Sequence, residues 1–376
     1  MFSAVRRRAA IVMRFVLADA RTRKEAQLLR DSGLFDRDFY LRSNPRLRRL
    51  FCLAPERHYL LFGEPMGLCP NPAFSPRAYL HNNPDVTTGR ALVHFIKKGR
   101  AEGRTAYDTA PVGDLDLPLI TPRAQASPAR VAVVLHLFYH DLWDAFRTAL
   151  AQQDFAFDLF VTATGTPEDI APLRGRIMAD FPHARIWAMP NHGRDIFPFV
   201  YLLASGVLAP YRAVCKLHGK RSPHRADGDT WRNALVAGVM GAPAQTAARL
   251  ERFLADPALG LWVADGQIVQ GDDWWGMNRA RATALLTKAG LTAPPHPLRF
   301  PAGSVYWLKP PVLDALSGLA LTAQDFEREQ QLVDGTTAHA IERLMGHLTT
   351  HADLEMCPAQ SLDVSPHLCV IRAGTF

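Results

Sequence analysis

The sequence predicts an α/β protein with a mostly parallel sheet, preceded by a small α-helical repeat module. Three observations predict it. From Val131 onward, short apolar runs alternate with amphipathic stretches, the pattern of a parallel sheet flanked by helices. Upstream of that, an aromatic motif occurs twice with turn residues between its parts, which suits short helices. Finally, 376 residues with 48% hydrophobic and 21% charged residues exceed one typical domain and exclude a disordered or collagen-like chain.

The repeat is read from two aligned stretches. Phe35 to Pro45 matches Phe74 to Pro84 at an offset of 39. His58-Tyr59, Gly63 and Gly67 match His94-Phe95, Gly99 and Gly103 at an offset of 36. Each unit runs F-x-x-x-x-Y-L-x-x-N-P and then H-[YF]-x-x-x-G-x-x-x-G, so residues 31–107 are expected to form a two-unit helical module with a spacer's role. Residues 108–130, with four prolines and no periodicity, read as a linker. The main domain is expected over 131–350, followed by a tail at 351–376. Strands are expected at 131–135, 157–163, 184–189 and 211–217. Helices are expected at 142–152, 170–181, 195–204 and 338–348.

Charge is unevenly placed. Residues 1–108 carry 20 Lys and Arg against 10 Asp and Glu; the rest carry 23 against 26. The basicity therefore belongs to the N-terminal part. A main domain slightly acidic overall, without a recognised motif, argues against a nucleic-acid partner. Residues 1–30 mix Arg6, Arg7, Arg8 and Arg14 with Val12, Met13, Phe15, Val16 and Leu17. They read as a basic amphipathic helix for an anionic membrane surface, too short to span it and not a secretory signal. Five scattered cysteines without a C-x-x-C pair fit reduced thiols, hence a cytoplasmic protein, peripheral at the inner face of the membrane.

Chemistry is expected in the loops at the carboxyl ends of the parallel strands. After the third strand comes Asn191-His192-Gly193-Arg194-Asp195. Gly193 permits a tight turn or close approach to a ligand, Asp195 can cap the next helix, and Arg194 can reach a phosphate. After the fourth strand comes Lys216-Leu217-His218-Gly219-Lys220-Arg221, a crowd of cations that a diphosphate would neutralise. Asp227 and Asp229 are a fallback pair for Mg²⁺ or Mn²⁺. Ser304 and Trp307 lie on a stretch that suits a sugar pocket. Asp334 stands just before the last helix, as an N-cap or as a general base.

Six blocks in this order resemble the rhamnan synthesis protein F family of bacterial polysaccharide glycosyltransferases. They are Asn191-x-Gly193-Arg194-Asp195-Ile196-x-Pro198-Phe199, Lys216-Leu217-His218-x-Lys220-x-Ser222, Trp231-Arg232, Trp275-Gly276-x-Asn278, Phe300 to Trp307, and Asp334 to Arg343. Phe197 stands where the family's R-D-I-G-P block has its glycine. The resemblance implies a GT-A-like nucleotide-binding fold and transfer of a sugar, often rhamnose, from a nucleotide diphosphate donor to a glycan acceptor, free or lipid-linked. In these terms Asn191, Gly193, Arg194, Asp195, Lys216, Lys220 and Arg221 bind the donor. His218 joins Lys216 in stabilising the leaving diphosphate, Asp334 is the base, and Trp231, Ser304 and Trp307 line the sugar or acceptor pocket. One base carboxylate leans towards inversion. The rival expectation is a non-catalytic carbohydrate-binding or scaffold subunit of the same assembly.

Overall fold

The computed structural model describes residues 12–44, 47, 49–71, 74–87, 90–104, 114–122, 129–219, 228–292, 297–328 and 334–363. The chain divides into two compact units. One comprises residues 1–111, 273–279 and 328–336, and the other 112–272, 280–327 and 337–376.

The second unit is the α/β domain. Its seven-stranded sheet contains β1 (Val131–Leu137), β2 (Phe157–Thr164), β3 (Arg185–Met189), β4 (Ala213–His218), β5 (Leu259–Val263), β8 (Tyr306–Leu308) and β9 (Glu355–Pro358). A separate antiparallel pair joins β6 (Ile268–Gln270) to β7 (Arg299–Pro301). The sheet order is β3-β2-β1-β4-β8-β5-β9, and β8 alone runs against its neighbours. The chain leaves β1 on one side for β2 and β3 and returns on the other for β4. That reversal is the topological switch point, outside which open α/β sheets hold their ligands.

Strand alternation sets the two faces of the sheet. Val131, Val133, Leu135 and Leu137 join Cys215, Leu217, Trp262 and Trp307 in a core completed by Trp143, Phe146, Ile177, Val239 and Phe253. The opposite face is polar at its carboxyl end. There His136 pairs in register with Thr162 and His218, and Lys216 with Tyr306. The helix Ile196–Ala204 brings Phe199 to within 5.8 Å of the Lys216 ammonium on this face.

Residues 114–122 form neither helix nor strand, as a linker would. They are nonetheless held to this domain. Pro118 accepts a hydrogen bond from the Tyr201 hydroxyl at 2.9 Å, Thr121 accepts one from Arg185 at 2.7 Å, and Ile120 is buried.

The first unit is built on the repeats. In each, a tyrosine hydroxyl meets a histidine Nδ1: Tyr40 with His58 at 2.9 Å and Tyr79 with His94 at 2.7 Å. In each, an asparagine amide closes the end of the tyrosine's helix, Asn44 on the Tyr40 carbonyl and Asn83 on the Tyr79 carbonyl. Each histidine is followed by a π-helical turn, Tyr59–Gly63 and Phe95–Gly99. A side chain at Gly63 or Gly99 would run into the paired tyrosine's hydroxyl. That packing, not a turn, is why glycine recurs there. Between the two repeats lies Glu64. It accepts from the Leu92 N–H at 2.9 Å and from the Tyr59 hydroxyl at 3.1 Å, and burial pushes its carboxyl up to about 7.

The expected single helix over residues 1–30 is corrected. Helix over 12–16 stops, and a new helix, Ala20–Asp31, starts at Asp19, whose side chain accepts from the Thr22 N–H at 2.6 Å. Asp is a strong N-cap and divides the run. Phe15 and Ala18 pack with Phe51 and Leu61, while Met13, Val16 and Leu17 are exposed. Arg6, Arg7 and Arg8 lie outside the described residues. No helix among the described residues is long and apolar enough to cross a membrane.

Candidate functional site

The polar face of the sheet gathers a charged cluster at the switch point. Lys216 donates to Asp195 Oδ2 at 2.5 Å and to the Ser304 carbonyl at 3.0 Å. Its ammonium lies 5.8 Å from the ring centres of Phe199 and Tyr306. His218 Nε2 meets the Gly303 carbonyl at 2.8 Å and stands 3.7 Å from Asp195 Oδ2. His136 sits beside them, its Nδ1 3.0 Å from the Thr162 hydroxyl. Burial drives its pKa down to about 3, so it is neutral at ordinary pH. The Lys216 side chain is 1% exposed and that of Asp195 19%. A buried ammonium needs such a partner, because desolvating a lone charge is costly.

The local backbone is strained on two sides of this cluster. Gly193 and Arg194 are both left-handed, at φ 57° and 59°, and Ser304 has φ 54°. Gly193 is required there, since a Cβ would collide with Phe197 and lie 2.7 Å from Phe326. Its conformational freedom serves a close fit to protein side chains. Arg194 and Ser304 have no such freedom. Non-glycine residues hold this conformation at a cost of about 1–2 kcal/mol each, and such strain collects at functional sites. His192, which precedes the turn, is buried with Nε2 2.8 Å from the Ala323 carbonyl. Phe197, at the family's glycine position, packs on His192 and Phe326.

The structure relocates several expected residues. Lys216 fell at the end of the strand expected over 211–217, and His218, expected in the loop beyond it, also belongs to β4, because the alternation Val214, Lys216, His218 continues the strand. Trp307 is corrected outright. It is fully buried, stacks on Trp262 and donates its indole N–H to the Val239 carbonyl at 2.9 Å. Alternation puts it on the face opposite Tyr306, in the core rather than a sugar pocket. Ser304 is buried, and its carbonyl binds Lys216. Trp231 is half-buried, bonded to Gln267 at 3.0 Å and packed against Gly303. Asn191 is exposed in the bend after β3. Asp229 is exposed and paired with Arg232 at 2.7 Å. Lys220, Arg221 and Asp227 lie outside the described residues.

Asp334 belongs to the first unit, with segment 273–279. Its Oδ1 accepts from the Asn278 amide at 2.7 Å and its Oδ2 from the Met277 N–H at 3.1 Å. Gly276, at φ 50°, leaves room for that carboxylate, because a side chain there would collide with it. Two of the six family blocks, 56 residues apart, thus meet through Asp334. The last helix, Thr337–His351, takes Glu327 at its start, which accepts from the Thr337 N–H at 3.0 and 3.1 Å. His136, Thr162, Tyr306 and Glu327 were not singled out by the sequence as site residues. Period-two placement of His136 and Tyr306 on the face of Lys216 was the signal available.

No group of three or more His, Cys, Asp or Glu side chains converges among the described residues, and the Asp195 carboxylate is taken by an ammonium.

Fold and site together define an α/β protein with a charged cluster at the switch point of a mostly parallel sheet, joined to a duplicated helical module. The profile of the family "Rhamnan synthesis protein F" (RgpF) matches residues 115–354. The chain belongs to that family. It is 31% identical over 220 residues to the uncharacterized protein WxcX of Xanthomonas campestris pv. campestris, in two strains. The matched stretch covers 58% of this chain and 31% of WxcX. The chain therefore spans about a third of the length of the curated relatives it matches. Among solved structures, it is similar to the mannosyltransferase PcManGT from Pyrobaculum calidifontis in complex with GDP-Man and Mn²⁺. That likeness has 13% identity and a TM-score of 0.32, covering 71% of this chain and 61% of the other.

Proposed function

We propose that the protein is a glycosyltransferase with a GT-A-like nucleotide site, moving a sugar from a nucleotide diphosphate donor to a growing cell-surface polysaccharide. Rhamnose is the sugar the family's description favours. The observation that carries this reading is the Asp195–Lys216–His218 cluster at the switch point, flanked by left-handed Arg194 and Ser304.

Arg194, Lys220 and Arg221 neutralise the diphosphate, Asn191 and Asp195 orient the donor, and the sealed Lys216 and His218 act by fixing Asp195. Trp231 borders the sugar. The acceptor oxygen forms a bond to the anomeric carbon as the bond to the diphosphate breaks. The electron pair leaves with the diphosphate, where fixed positive charge stabilises it. Asp334 takes the acceptor proton, and one attack of this kind inverts the configuration.

Thermal shift against a panel of nucleotide sugars tests the reading, because a ligand that binds only the folded state raises its stability. A rise with one donor, and nucleotide release when a glycan acceptor is added, is the expected result. Glycan binding without any nucleotide response would instead identify a non-catalytic subunit.

The acceptor end is proposed to work at an anionic membrane surface, contacted by Met13, Val16 and Leu17 beside Arg14. Removing residues 1–30 would also remove Leu29 and Ala26 from the module's core. Replacing Met13, Val16 and Leu17 by serine is the cleaner probe. Co-sedimentation with phosphatidylglycerol vesicles should fall, and unchanged co-sedimentation discards the membrane contact.

A further inference from the structure

We propose that Glu342 is a positioning residue of the nucleotide site, acting through the Gly303–Ser304 turn; the inference rests on reading that site as one for a nucleotide diphosphate. Gly303 and Ser304 are both left-handed, at φ 95° and 54°. For a serine, such backbone persists only where its surroundings impose it.

The surroundings are specific. Glu342 Oε1 accepts from the Gly303 N–H at 2.7 Å. The Gly303 carbonyl faces His218 Nε2 at 2.8 Å, and the Ser304 carbonyl accepts from Lys216 at 3.0 Å. Leu235 and Trp231 close the fourth side, 2.8 and 3.1 Å from where a Cβ on Gly303 would stand. Two of the three hydrogen bonds thus reach Lys216 and His218 of β4. The third comes from the helix Thr337–His351.

Glu342 is itself oriented. Its Oε2 pairs with Arg343 at 2.9 Å, and that guanidinium lies 5.4 Å from the Phe300 ring centre. A carbonyl can only accept, so a neutral His218 carries its proton on Nε2. The turn therefore fixes both the tautomer of His218 and the direction of the Lys216 ammonium. Glu342 fixes the turn.

The test uses the full chain and two variants. Hydrogen exchange of the segment 302–308 is measured without ligand. Calorimetric affinity is measured for UDP, GDP and dTDP. Glu342→Ala should speed exchange at the turn and weaken the preferred nucleotide roughly tenfold, the effect of one lost hydrogen bond to a charged group. Glu342→Gln keeps an acceptor for the Gly303 N–H and should restore both readouts. Wild-type affinity in Glu342→Ala overturns the proposal, whatever its exchange. So does a Glu342→Gln variant that binds weakly, and this second variant decides alone should the alanine variant fail to fold. A wild-type protein that binds none of the three nucleotides fails the nucleotide reading itself, and the positioning role falls with it.

Discussion

The helical unit and the sheet domain both bury polar side chains, and they do so in different ways. In the repeats, Tyr40–His58 and Tyr79–His94 are hydroxyl–imidazole pairs that satisfy each other, and the arrangement occurs twice. In the sheet domain, Asp195, Lys216 and His218 form a charged cluster with no counterpart, beside backbone held in costly conformations. Duplicated and unstrained hydroxyl–imidazole contacts belong to packing. Unique, charged and strained ones belong to function. Asp334 sits in the helical unit, and we place it in the second class because segment 273–279, rather than a tyrosine–histidine pair, supplies the hydrogen bonds from Met277 and Asn278.

The largest expected effect tests that placement. Asp334→Asn should lower turnover by roughly 10²–10⁴-fold if Asp334 is the base. Both its oxygens accept hydrogen bonds, so an amide sets a donor against a donor and costs about 1–3 kcal/mol of stability as well. Turnover near wild type, whatever the melting temperature, would return Asp334 to packing.

Next comes Lys216→Met. Removing one partner of a buried charge pair costs about 3–5 kcal/mol, read from urea denaturation. Adding Asp195→Asn should recover part of that loss, and additive losses in the double variant would show that the two are not coupled.

In the helical unit the expected effect is on stability alone. The Glu64 carboxyl is raised by burial from 4.5 to about 7. The folded state therefore prefers the proton, and this stabilisation is fully present below pH 4.5 and lost as pH rises through 7. The loss amounts to about 3 kcal/mol. Glu64→Gln should flatten the slope of melting temperature between pH 5 and 8 and leave nucleotide affinity unchanged. A slope that persists removes Glu64 as its source.

The smallest effect is Gly193→Ala, at about 2 kcal/mol, from the left-handed backbone and the contact with Phe197. Its nucleotide affinity should fall too, because the turn it disturbs carries Arg194 and Asp195. Loss of stability with unchanged affinity would break the link between strain and site.

Much of the α/β order was legible because β1, β2 and β4 are near-continuous apolar runs, and local periodicity carries that information. The observed β1 to β4 fall within two residues of their expected limits. Which face of the sheet would be polar was not legible. Tyr306 and Trp307 alternate whichever way the strand is turned, and only packing against Trp262 decides between them. Nor was the meeting of Asp334 with Asn278, which no local signal can encode across 56 residues. The repeat was plain, but the pairing of its tyrosine with its histidine was not, because the two stand 18 residues apart in one copy and 15 in the other.

That last inequality bears on how such a module changes over evolutionary time. The first copy carries three more residues between its lock and its key, around the short helix Arg49–Cys52, yet both pairs close to nearly the same distance. The segment in between thus absorbs a three-residue difference between the copies, while tyrosine, histidine and glycine are kept in both. A copy that keeps those three can be duplicated, shortened or passed to another architecture as a cassette. Ancestry in such modules is therefore better traced through this trio than through overall length.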